Sequence, residues 1–433
     1  MSKLKNMKSS FWIIGFLIFC TACSHYDIGL ENQLNQAAKN NNFFKVRTLL
    51  ENANGKIAPE KYLYFSALSE NKFDNCEFSN TQIESLLSKH KAKLNDSIII
   101  EILETKASNF VRLYQYQKAV EAYSEILFQY ELQLSSSEIE NYKNMCSLFG
   151  AIAKVPSQRM TVTRDETIPA YRNPFNLLMV PIKSKEISSD FIFDSGANLS
   201  TISEGFAKKL NLEILDTSIE VGGATTLSVQ SKLAVMDSIF VGEILFENVV
   251  FLVLPDEQLS FPEVNFFING IVGFPVIHQM TEIQMHKNGT ITVPKTPNDR
   301  KLNNLFLDFL IPIVALHTET DTLLLNLDTG ARNTELSQKY YDKNKEEIEE
   351  LGTKITQNVG SAGGIVEKAV YELSNFNFVI GTKQVNLPSV TVTPEKLSFT
   401  ENKDGNLGQD VITQFDKMIL NFKYMYIDFD MDN

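Results

Sequence analysis

Two spacings of apolar residues divide this chain. Up to about residue 150, apolar positions recur three and four residues apart, as in Val111, Tyr114, Ala119, Ala122, Tyr123, Ile126 and Leu127. That spacing lines one face of a helix. From about residue 160 the pattern changes. Short runs rich in β-branched and aromatic residues are cut by Gly, Asn and Pro: FNLLMVPIKS, DFIFDSG, SIFVGEILFENVVFLVLP and GTITVPK. A second set begins near residue 300 with LFLDFLIPIVAL, TLLLNLDTG, FNFVIGTKQVNLPSVTVTP and KYMYIDFD. These runs predict strands. The charged stretch KNKEEIEELGTK at 343–354 predicts a solvated helix or loop.

Within the helical part, segments ending on Leu49-Leu50, Leu86-Leu87 and Ile126-Leu127 step by 87 − 50 = 37 and 127 − 87 = 40 residues. This period suits stacked helical hairpins. The Ala119-x3-Tyr123 spacing resembles a tetratricopeptide unit without its usual Trp and Gly. An irregular helical bundle is the other reading. Stacked hairpins bind partners, so a protein partner is expected for this part.

Composition narrows the classes. A chain of 433 residues allows two or three domains. A net charge of −13 with no basic block argues against a nucleic-acid partner. At the N-terminus, Lys3, Lys5 and Lys8 precede the apolar run Phe11 to Phe19, and Cys20-Thr21-Ala22-Cys23 follows. This order describes an export signal. The run is shorter than the roughly 20 residues a membrane span needs. Its ending resembles a bacterial lipoprotein signal: residues 1–22 removed, Cys23 lipidated, and the protein held in the cell envelope, at the periplasm or outer membrane. A plain secretory signal is the alternative. Cys76 and Cys146 would remain beside Cys23, as one disulfide or as two buried thiols. His25, His90, His278, His286 and His317 are scattered without metal-ligand spacing, so no metal or cofactor is expected.

One short stretch carries chemistry. In FIFDSGANLSTIS an apolar strand ends on Asp194, and Ser195, Gly196 and Ala197 follow at once. In LLLNLDTGARNTELS the same order recurs at Asp328, Thr329, Gly330 and Ala331, 328 − 194 = 134 residues later. The match extends to Ser200 with Thr334, Ile202 with Leu336 and Ser203 with Ser337. Downstream, each copy has a Gly-rich segment, first Gly222 and Gly223, then Gly360, Gly363 and Gly364. Each then has a run turning on glycine, and last an apolar-Gly element around Gly273 or Gly408. The β part therefore reads as an internal duplication of about 130 residues per copy.

On these paired motifs the chain resembles the aspartic proteases, in the retropepsin-like form fused into one two-lobed chain as in pepsin. The resemblance covers roughly residues 165 to 433. It implies a mainly β C-terminal part of two duplicated aspartic-protease-like β-barrel lobes, at 165–297 and 300–433, preceded by an all-α helical-hairpin domain at 23–155. It implies that Asp194 and Asp328 share one water and hydrolyse peptide bonds. Ser195 and Thr329 would hydrogen-bond between the lobes, Gly196 and Gly330 would permit tight turns, and Ala197 and Ala331 would keep the cleft floor small. The Gly-rich segments become flap candidates, 28 and 32 residues beyond the aspartates (222 − 194 and 360 − 328). The first flap segment lacks a tyrosine, Pro275 follows Gly273, and Leu407 departs from the usual β-branched run. The alternative is an inactive peptide-binding or scaffolding lipoprotein of the same fold. No G-x-S-x-G, H-E-x-x-H or phosphate-loop motif supports another hydrolase.

Overall fold

The computed structural model describes residues 26–431, except 223–227, 362–363, 398–399 and 401. The signal segment and Cys23 lie outside the described residues, as do Gly223 and Gly363.

The N-terminal part is helical from Ile28 to Ala151. Its helices are α1 (Ile28–Lys39), α2 (Phe43–Leu50), α3 (Pro59–Lys72), α4 (Cys76–His90), α5 (Asp96–Arg112), α6 (Tyr116–Tyr130) and α7 (Ser136–Ala151). Local chemistry sets several starts. Asp27, Asn42 and Asn95 each accept the N–H three residues on, and Ser135 with Glu138 forms a capping box. Short turns join the helices, and each packs on the next. The run of helical spacing from Val111 to Leu127 is two helices. Tyr114 sits in the turn between α5 and α6 at φ 55°, in the left-handed region. Apolar periodicity ran through that turn because Tyr114 is turned inward there, donating its hydroxyl to Pro275 O at 3.1 Å. Cys76 and Cys146 are both free thiols.

The strands form three main sheets. In the first, Ile187–Phe193 runs parallel to Gly270–Val272. Gly270–Val272 runs antiparallel to Ser200–Ser203, which runs parallel to Ile244–Leu254. In the second, Thr322–Leu327 runs parallel to Gly405–Leu407. Gly405–Leu407 runs antiparallel to Glu335–Leu336, which runs parallel to Lys383–Val392. The same order of parallel, antiparallel and parallel pairing thus occurs in both sheets. The third sheet has five strands and draws on both halves of the β part, with Glu282–His286 antiparallel to Lys417–Asn421.

The Gly-rich segments lie in long antiparallel hairpins, Ile214–Gly222 with Ser228–Val241 and Thr353–Ser361 with Gly364–Ile380. Gly222 ends the first strand of one hairpin. Gly360 and Gly364 lie at the turn end of the other. The charged stretch at 343–354 is helical over Lys345–Leu351, with Ile348 buried and the rest of that helix exposed.

The helical part is seated on both halves of the β part. Phe306 packs against Phe43, Phe44 and Phe73, with ring centroids 6.0, 5.2 and 6.5 Å away. Lys72 and Lys403 both pair with Asp308. Two residues after Lys72, Asp74 meets His278 Nε2 at 2.7 Å and Arg112 Nη1 at 3.3 Å. The end of α3 and the turn that follows it therefore grip both halves.

Candidate active site

Alternation along a strand decides which side chains reach the site. Phe191 and Phe193 are fully buried in the main core. Ile192 and Asp194 share the other face. Ile192 joins Met179 and Ile271 in a separate small apolar cluster that Ala197 borders. Leu325 and Leu327 likewise enter the core and leave Asn326 and Asp328 on the opposite face. Each strand stops where its aspartate N–H turns to the neighbouring strand: Asp194 N donates to Val272 O and Asp328 N to Leu407 O, both at 3.0 Å.

Ser195 and Thr329, both fully buried, exchange hydrogen bonds across the two halves. Ser195 N donates to Thr329 Oγ1 at 2.9 Å, and Thr329 N donates to Ser195 Oγ at 3.1 Å. Each hydroxyl passes its own proton onward, Ser195 Oγ to Leu327 O at 2.7 Å and Thr329 Oγ1 to Phe193 O at 2.8 Å. All four bonds run between one motif and the other, so neither motif closes this set alone.

The grip presses each glycine against the opposite carboxyl. A Cβ on Gly196 would lie 2.7 Å from Asp328 Cγ, and one on Gly330 would lie 2.4 Å from Asp194 Cγ. Only glycine allows that approach. The backbone then serves the carboxylates. Gly196 N donates to Asp194 Oδ1 at 2.8 Å, and Gly330 N and Ala331 N donate to Asp328 Oδ1 at 2.8 and 2.9 Å. The Asp194 and Asp328 carboxyls are neighbours, each lying against the glycine of the other motif. Burial pushes the Asp194 carboxyl well above the usual range, and the charge of Asp328 pushes it further.

The structure brings together Asp194, Ser195, Gly196, Ala197, Asp328, Thr329, Gly330 and Ala331. The described flap candidates, Gly222, Gly360 and Gly364, lie at the far ends of the hairpins instead. The paired hydroxyls Ser200 and Thr334 do the same work, accepting Gly273 N at 3.0 Å and Gly408 N at 3.1 Å.

Other residues at the site did not stand out in the sequence. Asn406 Nδ2 donates to Asp328 Oδ2 at 2.8 Å. Gln409 Nε2 donates to Thr329 O at 2.7 Å and is held by Arg172 Nη1 at 2.8 Å. Asp410 accepts from Thr334 N and Oγ1. Pro275 stands two residues after Gly273, as Asp410 stands two after Gly408. The Pro275 carbonyl accepts Tyr114 Oη and Gln158 Nε2, both from the chain preceding the strands around Asp194. The unusual proline thus marks a place where the helical part is seated.

Residues 179–276 match the aspartyl protease family model. The matched stretch runs from the strand Leu178–Ser184 past Gly273 to residue 276, the span that carries the first motif and its apolar-Gly partner. Among curated proteins, no significant match to the chain is found.

Two carboxyls held side by side repel one another when both are charged, which favours keeping a proton between them. An arrangement of this kind can take a proton from water on one side and give one to a carbonyl oxygen on the other. An aspartic peptidase function is what the matched family supports.

Proposed function

We propose that this chain is a retropepsin-like aspartic endopeptidase with both lobes in one chain, using Asp194 and Asp328 as its catalytic dyad. The observation that carries this reading is the reciprocal bonding of Ser195 and Thr329, which sets the two aspartates side by side. The recurrence of the same strand pairing in both sheets supports a duplicated origin. One carboxylate takes a proton from water as the oxygen attacks the peptide carbonyl. The protonated partner donates to the carbonyl oxygen. Collapse then breaks the C–N bond as the nitrogen takes a proton. The substrate is an extended polypeptide, and the long hairpins are the flaps that close over it.

The test is cleavage of fluorescein-labelled casein by the chain, from acid to neutral pH, beside Asp194→Asn and Asp328→Asn. Products that vanish in both variants are expected. Products that persist in either variant overturn the dyad. No products from a folded wild-type chain favour a peptide-holding module that does not cut.

The chain is further proposed to be exported and lipid-anchored at Cys23, on the basic-apolar-small order of its first residues. Labelled palmitate should enter the wild type and not Cys23→Ser; equal labelling overturns the anchor.

A further inference from the structure

The two copies differ beside their aspartates. In the first, Ile192 lies opposite Ile271 on the neighbouring strand. In the second, the same positions hold Asn326 and Asn406. Position +3 after each aspartate is Ala197 or Ala331, neither with a polar side chain. The Asn406 amide, almost fully buried, supplies Asp328 with a side-chain donor at 2.8 Å that Ile271 cannot offer to Asp194.

We propose that Asn406 is a positioning residue that makes the two carboxyls unequal: its amide holds Asp328 as the ionised member and leaves the shared proton on Asp194. This rests on the endopeptidase reading and assigns each aspartate its part. A charge-assisted hydrogen bond to a carboxylate favours the charged form, and it does so more strongly away from water. Ionised Asp328 then takes the proton of the attacking water while Asp194 gives its proton to the carbonyl oxygen, forming a neutral diol. On collapse the C–N bond breaks. Asp328 passes its proton to the departing nitrogen, and a diol hydroxyl returns one to Asp194. Both groups end as they began.

Other charged groups lie close. Asp194 faces Asp328 directly. Arg172 reaches the site through Gln409, and Asp410 lies behind Thr334. Glu335 is paired across the strands with Asn406, and it hydrogen-bonds Thr393 and feels the charge of Lys368. Glu335 is therefore the control, because changing it leaves the amide in place.

The experiment follows the carboxyl carbons of 13Cγ-aspartate-labelled chain by NMR during a pH titration, with Asp194→Asn and Asp328→Asn for assignment. In the wild type, Asp328 is expected to stay charged to lower pH than Asp194. Asn406→Leu, which fills the same space without a donor, should raise the Asp328 midpoint by about one pH unit. Should leucine unfold the chain, Asn406→Ser, polar but too short to reach, should give the same shift. Glu335→Gln should move that midpoint less. On casein, Asn406→Leu should move the acid limb of kcat/KM upward by the same amount and lower kcat about tenfold, with KM changing little. An Asp194 that ionises first overturns the proposal. So does a midpoint unmoved in the Asn406 variants, or one moved equally by Glu335→Gln. If the folded wild type cleaves nothing, the endopeptidase reading fails on its own, and the carbon titration still decides whether Asn406 orders the pair.

Discussion

Gly330 has little freedom to change. A methyl group there would collide with the Asp194 carboxyl, whose nearest atoms lie 2.4 Å from the Cβ position. Gly330→Ala should therefore cut casein hydrolysis at least 100-fold, because the reacting groups are displaced by a fraction of an ångström or more. The chain should stay folded by circular dichroism. Asp194 itself stands in a site that works against its charge. Its carboxyl is raised in the folded protein by burial and by Asp328. A group raised on folding favours the folded state below its unfolded pKa and loses that contribution as pH rises through the folded value. At pH 7 an ionisable Asp194 is thus a burden on stability. Asp194→Asn should raise Tm at pH 7 by about 2–4 °C for each kcal/mol relieved, and by less in acid. Calorimetry at two pH values checks the sign.

At the scale of elements, α7 is tied to the first long hairpin. Asn144 Nδ2 donates to Glu220 O at 3.0 Å, and Glu220 N donates to Asn144 Oδ1 at 3.2 Å, as a neighbouring strand would bond. Asn144→Ala should remove both bonds, weakening this local contact by about 1–3 kcal/mol. Hydrogen exchange at Glu220 N–H should quicken while that of Phe193 stays slow. Nothing in the sequence pointed to this contact, because residues 144 and 220 meet only after two different parts fold. The same holds for Asn406, which reads as an ordinary polar residue until it lies beside Asp328. The aspartate motifs were legible because their chemistry is local: strand, carboxylate, hydroxyl and glycine follow one another. Ser200 and Thr334 were legible for the same reason, as a fixed offset kept in both copies. The break at Tyr114 was not, since a half-buried, inward-turned tyrosine in a turn keeps the apolar spacing of the helices on either side.

Across the whole molecule, acid should loosen the seat of the helical part. Burial works to raise the Asp308 carboxyl, but Lys72 and Lys403 more than offset it and hold it far below the usual range. Burial likewise works against the charge of Asp74, and His278 with Arg112 holds that carboxyl low. Carboxyls lowered on folding stabilise above their unfolded values and lose that contribution as pH falls through the folded ones. Below about pH 4 the seat should weaken. Asp308→Asn should destabilise the neutral chain by about 3 kcal/mol and flatten the acid dependence of Tm. A Tm that falls equally steeply with acid in the variant would remove Asp308 from the account. The five-stranded sheet has a different consequence. Three strands from the first half and two from the second join in it along one seam, where Glu282, fully buried, accepts Asn421 Nδ2 at 2.7 Å. The partners of the site belong to one chain and are joined through one sheet, so mass action has no hold on them. Turnover per molecule should stay constant on dilution to any concentration at which product can still be counted.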